Sequence, residues 1–68
     1  MKLTIEDFAM KLLMEFTKVR YFGKELVFAE IKSYRKHRGI NCDGSDEEVY
    51  DCFRRAWNNL VEEGMLAK

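Results

Sequence analysis

Between Thr4 and Arg20 the apolar positions Ile5, Phe8, Ala9, Leu12, Leu13, Phe16 and Val19 recur three and four residues apart. That spacing lays one apolar stripe along an α-helix and predicts a first helix over this stretch. Thr4 stands as its N-cap, with Asp7 three residues on in a variant capping box, and Leu3 before the cap is placed to staple onto Phe8. Tyr21-Phe22-Gly23 breaks the period, since glycine ends a helix at little cost in the left-handed conformation. Leu26-Val27-Phe28 follows as a β-prone run, long enough for one paired segment. From Phe28 onward, Ile31 and Tyr34 keep helical spacing, which predicts a short second helix over Ala29–Arg38. Gly39 sits where a C-terminal left-handed residue belongs, and Ile40 can fold back on Tyr34.

Asn41-Cys42-Asp43-Gly44 reads as a loop. Ser45 and Glu48 then form an S-x-x-E capping box. Asp46, Glu47 and Glu48 put three negative charges in the first turn, where the helix dipole favours them. Val49, Cys52, Phe53, Ala56, Trp57, Leu60 and Val61 repeat the spacing of the first helix as far as Glu63, and Gly64 stops the third helix. Met65 and Leu66 follow as an apolar stub. No repeat or linker interrupts the pattern, so residues 1–68 read as one domain.

Composition narrows the possibilities. A chain of 68 residues supports one small core, which argues against most enzymes and makes a partner or a second copy physically useful. Hydrophobic residues make up 47% and twelve basic side chains balance twelve acidic ones, a globular profile and not a disordered one. No apolar run approaches the ~20 residues of a membrane span. Acids follow Met1 almost at once, so the N-terminus does not read as a signal peptide. Cys42 and Cys52 form no multi-bridge framework, and a reduced, cytoplasmic setting is the expectation. With His37 they make three zinc ligands lacking CxxC or HxxxH spacing, so neither metal nor cofactor is expected. Cys42, in a loop, is the more reactive thiol of this reading, and Cys52 a small buried hydrophobe. No catalytic set emerges: Glu47 with Glu48, and Glu62 with Glu63, are sequence neighbours that point to different helix faces, and His37 has no placed partner.

Three helices, a β-prone run between the first two, and the close Leu60-x-x-x-Gly64-x-Leu66 resemble a winged helix-turn-helix domain over nearly the whole chain. The resemblance implies a mainly α, winged-helix-like fold with at most a minimal β element. It also implies DNA binding or transcription regulation, with the third helix entering the major groove. Two features depart from the family pattern. Residues 39–45 exceed the three-to-four-residue turn of the strict motif, and a chain ending at Lys68 holds at most one strand of the wing. A plain three-helix bundle gives the same periodicity; the Leu26–Phe28 run is what favours the winged helix.

Two surfaces compete for the function. Residues 1–40 hold nine Lys or Arg against five acids, and residues 41–68 hold three against seven, so the neutral total splits into +4 and −4. Lys32, Arg35, Lys36 and Arg38 on the second helix are the candidate phosphate contacts. Arg54, Arg55 and Asn58 on the third have the chemistry for base edges. The plainer reading of the basic run is a solvated helix face, and Asp51 to Arg55 is a favourable i, i+4 pair that occupies the arginine. At 100° per residue from Ile5, Met10, Met14, Thr17 and Tyr21 fall at about 140°, 180°, 120° and 160°, a second stripe pointing outward. Methionine suits adaptable contacts, so this stripe and the acidic third helix are the candidate surface for a protein partner or a homodimer. A basic half gathered on one face favours a nucleic acid; basic residues interleaved with acids favour a protein partner.

Overall fold

The computed structural model describes residues 1–65, so Leu66, which closes the L-x-x-x-G-x-L motif, lies outside the described residues. Two short strands, β1 (Lys2–Leu3) and β2 (Asn41–Cys42), pair in parallel, Lys2 opposite Asn41 and Leu3 opposite Cys42. Three helices complete the fold: α1 (Ile5–Val19), α2 (Lys24–His37) and α3 (Asp46–Glu62). The protein is therefore mainly α, three helices with a minimal β element. No helix among the described residues is long and apolar enough to cross a membrane.

The caps at two helix starts follow the sequence. Thr4 accepts from the Asp7 backbone N–H at 3.0 Å. Ser45 and Glu48 exchange both bonds of the capping box, at 3.2 and 3.0 Å. Each satisfies N–H groups that the first helical turn leaves without partners. The strands being parallel, with Thr4 and Ser45 soon after them, α1 and α3 set off from the same end. Along their length Phe16 meets Phe53 edge-on, with ring centroids 5.6 Å apart. Phe22, in the α1–α2 turn, closes the far end edge-on to Phe53 and Trp57, 4.9 Å from each.

Four boundary expectations are corrected. Leu26–Phe28 is helix, not strand, because α2 starts five residues before the predicted Ala29. Val27, Ile31 and Tyr34 recur at i, i+4 and i+7 and are all buried. Burying that stripe outweighs the weak β preference of three residues. The segment that favoured a winged helix over a plain bundle is thus part of α2. Secondly, the left-handed residue that closes α1 is Arg20 and not Gly23: it caps the helix at φ 57° and donates to the Phe16 carbonyl at 2.9 Å. Gly23 instead caps the start of α2 in an extended conformation. Thirdly, Asn41–Cys42 is a strand and not a loop: Asn41 N–H donates to the Met1 carbonyl at 2.8 Å, and the Met1 amine donates to Gly39 at 2.6 Å. Lastly, Val19 belongs to no core stripe, since it lies 67% exposed at the end of α1.

The end of α2 follows the sequence more closely. Gly39 has φ 65°, and the Ile40 N–H returns to the Tyr34 carbonyl at 3.0 Å. One cluster of buried side chains, including Phe8, Leu12, Val27, Ile31, Tyr34, Val49 and Phe53, joins all three helices, with Cys42 of β2 at its edge.

Candidate interaction surface

Arg35 is the predicted phosphate contact whose position changes most. It leans inward from α2, its side chain only 25% exposed. One terminal nitrogen donates to the Gly44 carbonyl at 2.8 Å, and the other reaches the Cys42 carbonyl at 3.4 Å. Nε stands 3.1 Å from Asp46 Oδ1, at an angle that makes an ion pair and no hydrogen bond. The guanidinium also lies 5.4 Å from the centre of the Phe8 ring. Arg35 thus ties α2 to the β2–α3 connection and to the start of α3, where Asp46 also meets the helix dipole.

The other predicted basic residues stay exposed, and Lys32, Arg38, Arg54 and Arg55 each share a groove with an acid. Lys32 lines a groove of about 610 Å³ between α2 and α3, together with Lys24, Glu25, Phe28, Ala29 and Glu47. In its lining Phe28 stacks on Tyr50 at 5.2 Å, and the Lys24 ammonium lies 5.8 Å and 5.7 Å from the two ring centres. Tyr50 is half-buried. Arg38 lies over the Tyr34 ring at 4.9 Å and shares a smaller groove, about 150 Å³, with Glu15, Lys11 and Lys18. Arg54 and Arg55 form a third hollow with Asp51. The expected Asp51–Arg55 side-chain pair does not form; Arg55 Nε instead reaches the Asp51 backbone carbonyl at 3.4 Å. Lys36 and Asn58 are exposed.

The outward stripe of α1 holds in part. Met10 and Met14 are exposed, and Met14 lines the Arg38 groove. Thr17 is half-buried and its hydroxyl donates to the Met14 carbonyl at 3.0 Å. Tyr21 is exposed but has left the helix, since the chain turns at Arg20. The Tyr21 hydroxyl and Leu26 both lie close to Gly23, and Val19 at the end of α1 and Leu26 near the start of α2 are exposed apolar side chains. Sequence reasoning missed Leu26 and Val19 here because it assigned one to a strand and the other to the core. It also missed Phe28 and Ala29 as groove residues, for which the signal was the extension of helical spacing back through Val27.

The two cysteines differ from expectation in their burial. Both are free thiols. Cys42 is buried beneath Arg35 and Gly44, whereas Cys52 is half-buried on α3. Burial, and then the Glu6 carboxylate, push the Cys52 thiol pKa up against a lowering by Arg55, which disfavours its nucleophilic form. His37 is exposed at the end of α2.

No protein-family model matches the chain, and no curated protein or solved structure matches it. Fold and surface together define a small three-helix domain whose exposed grooves mix both signs of charge, two of them with apolar residues in their lining.

Proposed function

We propose that this domain is a regulatory protein-interaction module. The observation that carries the reading is an acid in every groove: Lys24 and Lys32 share theirs with Glu25 and Glu47, Lys11, Lys18 and Arg38 theirs with Glu15, and Arg54 and Arg55 theirs with Asp51. A duplex backbone carries a negative charge about every 1.7 Å along its axis and is repelled by each of those carboxylates. A protein surface carries both signs and can answer both. Met10, Met14, Val19, Tyr21 and Leu26 add exposed apolar area of the kind that contacts proteins.

Nucleic-acid binding is the second reading, favoured by one observation. Lys32 and Lys36 on α2 and Arg38 at its C-cap are exposed, and none forms an ion pair among the described residues. Fluorescence anisotropy with labelled duplex and single-stranded oligonucleotides at low salt separates the two. The interaction reading expects no salt-dependent binding. Binding that weakens steeply with salt, and that Lys32→Glu with Lys36→Glu abolishes, would overturn it in favour of the nucleic acid.

A further inference from the structure

We propose that the α2–α3 groove is a homodimer interface, occupied by the same groove of a second copy; this rests on the interaction reading above. A twofold contact requires a patch that complements itself, because each residue meets its counterpart's neighbour on the other copy. This groove meets that condition. Lys24 and Lys32 balance Glu25 and Glu47 around the apolar centre of Phe28 and Ala29.

The register follows from the α2 sequence. With two α2 helices antiparallel about a twofold axis between Phe28 and Ala29, Glu25 meets Lys32 of the second copy and Phe28 meets Ala29. By symmetry each pairing occurs twice. At 100° per residue these four side chains span an arc of about 100° on α2, so one helix face presents them together. Ala29 is exposed and carries only a methyl group, which lets the helix axes approach to about 8 Å. The Phe28 ring, held from behind by Tyr50, supplies the bulk that fills the space over Ala29. In this register large meets small at Phe28–Ala29 and acid meets base at Glu25–Lys32, while Lys24 and Glu47 lie outside these pairs. A second copy is therefore the occupant that the groove's charges specify, where a polyanion meets Glu25 and Glu47.

A contact of two helical turns buries less than the ~1,200 Å² of a standard interface, so the dimer is dissociable and concentration-dependent. Sedimentation equilibrium of the full chain over a range of concentrations tests it. The expected result is a monomer–dimer equilibrium that Glu25→Lys and Lys32→Glu each weaken about tenfold or more, while the double variant recovers it by rebuilding both pairs reversed. Glu25→Gln and Lys32→Gln weaken it less, and combining them gives no recovery. Both side chains are exposed, and circular dichroism confirms that each variant folds. Failure of the double variant to recover overturns the register, and a dimer insensitive to both reversals overturns the groove. If Met14→Glu dissociates such a dimer, the groove falls while the interaction reading stands. A strict monomer that binds oligonucleotides overturns both, and a strict monomer that binds none overturns the homodimer alone.

Discussion

Replacing Arg35 separates an internal strut from a phosphate contact. Arg35→Ala removes a charged donor from the Gly44 carbonyl, worth about 1.5–3 kcal/mol. It also removes a cation–π contact with Phe8 worth about 0.5–1 kcal/mol. The partly exposed ion pair to Asp46 adds no more than about 1 kcal/mol. The long contact to Cys42 adds little. Together these give a loss of about 3 kcal/mol, a large part of the ~5 kcal/mol at the lower end of domain stability. In a domain of this size that lowers Tm by roughly 10–25 °C. Arg35→Met keeps the apolar stem but removes the same charged contacts, so it also loses about 3 kcal/mol, and any further loss in Arg35→Ala is the packing of the stem. Lys36→Ala, on the exposed side one residue further, changes stability by less than about 0.5 kcal/mol. Urea unfolding followed by the fluorescence of Trp57, 7% exposed in the core, measures all three. If Arg35→Ala costs no more than Lys36→Ala, the strut does not exist and Arg35 returns to the surface set.

Three further outcomes are expected. A Cβ at Gly44 would fall 2.5 Å and 2.6 Å from the outer carbons of Ile5. Gly44→Ala therefore destabilises by about 1–3 kcal/mol in urea titrations, and adding it to Ile5→Ala costs almost nothing more. Arg20→Gly relieves a left-handed non-glycine residue at φ 57° and raises stability by about 0.5 kcal/mol in a thermal melt; a lowered Tm contradicts this. Burial, then Glu15 and Glu30, raise the Tyr34 pKa against a lowering by Arg38. The folded state thus holds that proton more tightly than the unfolded one. Its contribution is complete below the unfolded pKa of about 10 and is lost as pH rises through the higher folded value. Tyr34→Phe flattens the alkaline fall in stability, and a pH profile parallel to that of the parent chain would show that Tyr34 does not cause it.

The contrast between Ser45 and Arg35 shows how much of the surface was legible. Ser45 acts on an N–H three residues away, so its role is written in the S-x-x-E spacing itself. Arg35 lies on the second helix among Lys32, Lys36 and Arg38, and nothing local distinguishes it from them. Its inward lean depends on Gly44 and Asp46, nine and eleven residues along the chain and across a turn. Likewise Lys32 carries the same sequence signal whether or not Glu47 shares its groove, and that neighbour bears on the choice between a polyanion and a protein partner.

The sequence by itself determined three helices, the Thr4 and Ser45 starts, the stops near Gly39 and Gly64, and the apolar stripes that build the core. These are all governed by hydrogen bonds and side-chain neighbours within about four residues. Tertiary structure decided the rest. It drew Leu26–Phe28 into α2 because Val27 is buried with Ile31 and Tyr34, and it made a strand of Asn41–Cys42 because Met1 and Lys2 lie beside it. It turned Arg35 inward and set Phe28 on Tyr50. Each of these depends on partners far away in the chain, whose approach is fixed only when the whole core closes.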